Sequence, residues 1–284
     1  MRKTLIAASL ATAAFAVPQL ACAQAAAPAA AAPASPHTFT GNISLVSDYR
    51  FRGISQTFKV PAIQGGFDYS HSSGFYAGNW DSNVNTGAGF PGGSIEMDFY
   101  GGWKQTWGDW GLDLGGIYYY YPGTDANAAN FPANPKNGKT HTGNVHNGEL
   151  YIGGSWKWLS LKYSHAVTDY FSLPDTKGSN YLDFSGTYDL GDGWGIVGHI
   201  GNFNLKNWHT TTNVTKGDYT DWKLGVTKDL SGWIVGASYI DTNAKGSCNL
   251  VNPGFYCFGN SASGASKFKD ASSGTVVLSV SKTF

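Results

Sequence analysis

The sequence predicts an all-β chain: a transmembrane, antiparallel, up-and-down β-barrel of about twelve strands. Three observations lead there. From Thr38 onward, short segments alternate apolar and polar residues, and most have the roughly 9 to 11 residues that a tilted strand needs to cross a bilayer. The connections between them are alternately tight and long. The last segment places Val276, Leu278, Val280 and Phe284 on one face and Thr275, Ser279, Ser281 and Thr283 on the other, stopping on an aromatic residue. Lys282 shares the apolar parity, where its ammonium could snorkel to headgroups or water. Alternation alone also suits the half-buried sheet of a soluble sandwich, so the connections carry the decision.

The N-terminal segments stand apart from this pattern. Met1-Arg-Lys is basic, Leu5 to Val17 is apolar and Ala21-Cys-Ala23 offers a small-x-small cleavage site, so residues 1–23 read as a secretory signal peptide. Cys22 offers a lipid-anchored alternative, but Gln19 places a polar amide where lipoprotein signals want an aliphatic side chain. Residues 24–37 are dominated by Ala and Pro. Such a stretch cannot build a core and reads as a periplasmic leader. The barrel is expected over 38–284.

Composition agrees. The chain has 38 Gly, 16 Phe, 10 Trp and 16 Tyr with only 13% charged residues, which suits a twisted sheet facing lipid. Beyond the signal no apolar run reaches the 18 or so residues of a membrane helix. Basic and acidic residues balance at 19 each, and signal cleavage would remove Arg2 and Lys3. That balance argues against nucleic acid and against docking on an anionic surface. Once Cys22 is removed, Cys248 and Cys257 form a pair in an oxidising compartment. They flank the turn signal Asn252-Pro253-Gly254, and a disulfide is expected rather than a metal site, since no His adjoins them.

The strands are expected near 38–48, 61–71, 74–83, 94–106, 111–121, 147–157, 159–168, 181–190, 194–203, 219–229, 233–242 and 275–284. Apolar faces are clear in Phe39/Ile43/Leu45, Ile63/Phe67/Tyr69, Ile95/Met97/Phe99, Leu112/Leu114/Tyr118/Tyr120, Leu182/Phe184/Tyr188/Leu190 and Trp222/Leu224/Val226. The tight connections are His71-Ser-Ser-Gly74, Trp107-Gly-Asp-Trp110, Trp156-Lys-Trp158, Gly191-Asp-Gly193 and Leu230-Ser-Gly232. The intervening ones are mostly long: 83–93, 122–146, 169–180, 204–218 and 243–274. Short turns on one rim with both termini, and long loops on the other, mark an outer-membrane barrel with periplasmic termini. A sandwich has no reason to sort its loops. Trp107, Trp110, Trp156, Trp158, Trp194 and Trp233 sit at the short turns, and Tyr118 to Tyr121 adjoin a long loop. These are the positions of interfacial girdles.

Ile43 to Gln56, with Val46-Ser-Asp-Tyr-Arg-Phe-Arg-Gly-Ile-Ser-Gln56 at its centre, resembles the N-terminal block of the TorF family of porin-like proteobacterial outer-membrane proteins, formerly a conserved hypothetical family. Gln64-Gly-Gly-Phe-Asp-Tyr69, Gly74-Phe-Tyr-Ala-Gly-Asn-Trp80 with Ser82-Asn83, and Glu96-Met-Asp-Phe-Tyr-Gly-Gly102 extend the likeness. The resemblance implies an outer-membrane channel and brings no catalytic or ligand residues with it. The Ala/Pro leader and the long 122–146 loop depart from it.

Candidate pore-lining residues follow from parity. Asp48, Arg50 and Arg52 could bias ions at the outer mouth, or simply brace the first hairpin. Asp68, Glu96, Asp98, Lys104, Asp113, Glu149, Lys157, Lys162, Asp183 and Lys223 fall on lumen parity with mixed signs. His71-Ser-Ser-Gly74 superficially resembles the His/Ser run of outer-membrane phospholipases. It occupies a turn, however, and nothing identifiable supplies a base and an orienting third group. No enzyme activity, metal site or cofactor is expected: His141, His146, His199 and His209 lack metal spacing. Asn213-Val-Thr215 matches a glycosylation sequon without consequence in a bacterium.

The expected partners are outer-membrane lipid, the barrel assembly machinery through the strand ending at Phe284, and small hydrophilic solutes or ions in passive passage. Barrels of this strand number are narrow. The alternatives are therefore a solute-selective narrow barrel or a structural barrel, and third a phospholipase-like one.

Overall fold

The computed structural model describes residues 35–126, 133–208, 217–249, 253–261 and 264–284. The signal peptide with Cys22, most of the leader, His209 and the sequon lie outside the described residues.

Twelve long strands form the wall: β1 His37–Val46, β2 Ala62–His71, β3 Phe75–Asn83, β4 Ile95–Trp107, β5 Trp110–Tyr120, β6 His146–Trp156, β7 Leu159–Ala166, β8 Asn180–Gly191, β9 Trp194–Asn204, β10 Tyr219–Leu230, β11 Trp233–Thr242 and β12 Thr275–Thr283. Each pairs antiparallel with its sequence neighbours, and β1 pairs with both β2 and β12. Leu45 stands opposite Ile63 on one side and Val280 on the other, so the sheet closes without an edge. Among the described residues no helix is long and apolar enough to cross a membrane.

The architecture is the expected all-β, twelve-stranded closed barrel. Strand bounds differ by a residue or two at most ends. The instructive difference is β1, which stops at Val46. Ser47 N–H donates to Leu278 O (2.9 Å), its Oγ accepts from Leu278 N (2.9 Å), and the chain then turns inward at Asp48. A short hairpin, Arg50–Phe51 against Ile54–Ser55, lies beyond that turn. A second, Cys257–Gly259 against Phe268–Asp270, belongs to the connection before β12.

Side-chain period two sets inside from outside. Phe39, Phe67, Leu224, Leu278 and Phe284 are exposed on the exterior, Phe39 to 76%. Their same-strand neighbours on the other parity, apart from Thr38 at the end of β1, are buried or half-buried inside. An apolar exterior of this extent would be untenable in water and suits lipid. The tight connections are true two-residue hairpin turns at Asp192-Gly193 (φ 51 and 76) and Ser231-Gly232 (φ 57 and 86). Positive φ at both central residues matches the twist of the flanking strands. Trp107, Trp110, Trp156, Trp158, Trp194 and Trp233 are exposed on this rim. At the other rim the tyrosine run divides by parity: Tyr118 points outward, while Tyr119 and Tyr121 are buried. The disulfide Cys248–Cys257 is formed.

Candidate functional site

Toward the short-turn rim, half-exposed small or polar inward side chains such as Asn42, Ser155, Thr227 and Ser281 stand beside charged ones, with Lys104 opposite Asp113. The charged wall begins there. Tyr76 Oη donates to Asp113 Oδ1 (2.6 Å) and lies 2.5 Å from Tyr151 Oη. Lys162 Nζ sits 3.7 Å above the Tyr151 ring, and Tyr100 Oη donates to Asp68 Oδ1 (2.6 Å). The Tyr100 and Tyr151 side chains lie over Gly78 and Gly115 of the adjacent strands, where a Cβ would come within 2.5 Å of Tyr100 Cε2 and of Tyr151 Oη. Any larger residue there would push these hydroxyls off their acids.

Further round the wall, His199 is held between two carboxylates: Nδ1 is 2.6 Å from Asp183 Oδ2 and Nε2 is 2.7 Å from Asp221 Oδ2. Tyr181 Oη donates to Asp221 Oδ1 (2.9 Å), and Lys223 stands opposite His199 on β10. Charges of both signs thus line the wall from β2 to β10. The inward positions of β11, β12 and β1, such as Gly236, Ser238, Ser279 and Ser44, are small and uncharged.

Above these charges the first long connection fills the lumen. Asp48 accepts from Arg50 Nε (2.6 Å) and Ser55 Oγ (2.6 Å). Arg50 Nη1 also donates to Gly53 O (2.9 Å), Ala271 O (3.1 Å) and Ser273 O (3.2 Å), tying the first connection to the last. Gly53 has φ 80, and a Cβ there would lie 2.4 Å from Thr242 and 2.7 Å from Asp221. Only glycine fits that left-handed, crowded position. Arg52 then reaches across to Glu149, Nη2 to Oε2 at 2.7 Å, with both side chains buried. Its guanidinium lies 4.3 Å from the Tyr181 ring centroid and 4.8 Å from that of Phe51. Burial works to lower the Arg52 pKa, but the Glu149 carboxylate raises it further, so this cation stays charged.

Rings pack on this core. Phe51 meets Tyr119 (5.5 Å) and Phe171 (5.6 Å) edge-on, Tyr49 meets Trp80 (5.5 Å), and Tyr170 meets Phe203 (4.6 Å). Phe171 holds a left-handed conformation (φ 44, ψ 45) that a non-glycine residue adopts only when its surroundings fix it. Together these groups form an aromatic stopper across the long-loop end of the lumen.

Ten of the expected pore residues lie inside the barrel or at its neck: Arg52, Asp68, Glu96, Asp98, Lys104, Asp113, Glu149, Lys162, Asp183 and Lys223. Three do not line an open mouth. Asp48 and Arg50 are buried against each other and brace the first connection, the alternative that the sequence offered. Lys157 corrects the parity reading: the two-residue turn after β6 takes it at φ 54, so it leaves the wall, stays exposed and approaches Asp109 at 3.8 Å. His71 Nδ1 lies 2.7 Å from Ser73 Oγ within an exposed turn. Among the described residues no group of three or more His, Cys, Asp or Glu could hold a metal ion.

Sequence reasoning missed the stopper, His199, Asp221 and the tyrosines Tyr76, Tyr100 and Tyr151. A signal existed. Trp80, Tyr119, Tyr181, Phe203 and Tyr219 all share the inward parity at the long-loop end, where a water-filled mouth would not place them.

Among solved structures, a NanC porin is similar over 87% of this chain and 99% of that one, at 10% identity and TM-score 0.48. The KdgM porin in complex with disordered oligogalacturonate is similar over 87% and 99%, at 6% and 0.46. A TodX deletion mutant, a monoaromatic hydrocarbon channel, is similar over 89% and 90%, at 10% and 0.47. The ligands named there belong to those proteins. Among curated proteins none matches the sequence. Residues 30–284 match the family described as a bacterial protein of unknown function, Gcw_chp, and the chain belongs to that family.

Proposed function

We propose that this protein is a porin-like outer-membrane channel, stoppered at its outer mouth, for passive passage of small hydrophilic solutes or ions. The observation that carries this reading is the inversion of the barrel. Its exterior is bare apolar surface, while its interior buries Asp113 and Lys162 against Tyr76 and Tyr151, Asp183 against His199, and Lys223. Lipid outside and a polar conduit inside account for both faces. The sorted connections support an orientation with both termini periplasmic. The likeness of Ile43 to Gln56 to the TorF block points the same way. A strand closing on Phe284 fits delivery by the barrel assembly machinery.

Twelve strands make a narrower tube than the 16 to 18 of general porins, and the stopper narrows it further. Selective, gated passage therefore fits better than general diffusion, and no chemical step is assigned to the chain. Proteoliposomes containing the refolded protein test this reading by efflux of a small neutral sugar and of a small ion. Efflux above empty liposomes for either is the expected result. Impermeability to both, in the wild type and in a chain with the first connection loosened, would overturn it.

A further inference from the structure

Above the stopper, on the side facing away from the lumen, the long connections enclose a cavity of about 520 Å³. Its floor is Phe51, Tyr170 and Phe203, and its sides include Phe90, Phe258 and Phe268. From these observations we propose that it is a binding site for a neutral, apolar compound built of aromatic rings, separate from the polar path below.

Size comes first. An apolar cavity of about 150 Å³ stays dry and takes up benzene, and small-molecule sites run from about 300 to 1,000 Å³. A cavity in that range, walled by rings, gains nothing from water that cannot hydrogen-bond to it. Polarity comes second: among the described residues no Asp, Glu, Lys, Arg or His lines it. Three of the polar side chains that line it are engaged. Tyr256 Oη donates to Gly217 O (2.5 Å), Gln56 Nε2 donates to Ile54 O (3.0 Å), and Tyr170 Oη accepts from Arg52 Nη1 (3.3 Å). A charged ligand would meet no counter-charge and a sugar few free partners, whereas ring faces offer offset and edge-on packing. Shape comes third. The walls come from the connections after β1, β3, β7, β9 and β11, with Cys257 of the disulfide among them. These loops stand above the lipid band, which favours a ring compound arriving from outside over a membrane acyl chain.

The test is equilibrium binding of phenylnaphthylamine, a neutral aromatic fluorophore, to the full chain in lipid nanodiscs. Wild type should bind it saturably, one per chain. Ala265→Trp, which fills the cavity, and Phe268→Ser, which removes a wall, should each weaken binding at least tenfold. Leu224→Ser on the lipid face should leave it unchanged. The two cavity variants act by opposite means, so misfolding of one leaves the other decisive. Octane at the same concentration should not displace the fluorophore. Non-saturable uptake that is equal in all four proteins is membrane partition and overturns the site. Displacement by octane overturns its ring specificity.

Discussion

Arg52 and Glu149 lie 97 residues apart in sequence and 2.7 Å apart in space, tying the first connection to β6 at the long-loop end of the barrel. The pair is buried, so each charge depends on the other for its solvation. That dependence makes it the point at which the stopper is most easily loosened.

Truncating one partner leaves the other charge buried alone. Glu149→Gln or Arg52→Ala should each weaken the packed stopper by about 3 to 5 kcal/mol. The barrel itself should persist, because its hydrogen-bond ladder closes independently of the stopper. Limited proteolysis should show faster cleavage in 49–59, while unheated gel mobility stays that of the folded barrel. Loss of the folded band in both variants would show that the stopper is part of the barrel's core.

Exterior parity gives a second outcome. Leu224 and Leu278 point outward, whereas Thr227 lies on the inner parity. Arg at either leucine should cost about 2 to 4 kcal/mol near the bilayer midplane. Thr227→Arg should fold normally and shift reversal potentials toward anions, since it adds fixed positive charge to the conduit. Spin labels at 224, 226, 278 and 280 should be quenched by lipid-phase relaxers. Shielding there, with exposure at 223 and 227, would show that the register is inverted.

The disulfide is confined to the last long connection. Peptides containing Cys248 and Cys257 should be recovered joined without reductant. Reduction should speed proteolysis within 244–273 and leave the barrel's melting unchanged. Free thiols in the native protein would contradict the pairing.

Acid should act on the long connections late. Hydrogen bonds from Lys139 and Asn137 hold the Asp175 carboxyl below its ordinary range. The tether is therefore at full strength above the unfolded carboxylate value of about 3.9 and is lost only as pH falls through the lowered one. Hydrogen-exchange protection factors at 134–139 should stay constant from pH 7 to pH 5, and Asp175→Asn should lower them across that range. Equal exchange in the two proteins would remove the tether.

All twelve strands were legible because period two, hairpin turns and sorted loops are local properties of the chain. Leu224 and Phe284 declare their face by their neighbours. The stopper was not legible, because its contacts join distant segments: Arg50 meets Ala271 across 221 residues. Alternation shows that Glu149 and Tyr181 point inward, but not that Arg52 lies between them. Lys157 misled for the opposite reason. Its parity was right for a strand, and the chain had already turned.

The central claim is a polar conduit closed at one end by the Arg52 stopper. Single-channel recording of wild type and Arg52→Ala in the same planar bilayer tests it most directly. The expected result is small, infrequent openings in wild type and a severalfold rise in conductance or open time in the variant. Identical traces from two folded proteins, or silence from both, would contradict it.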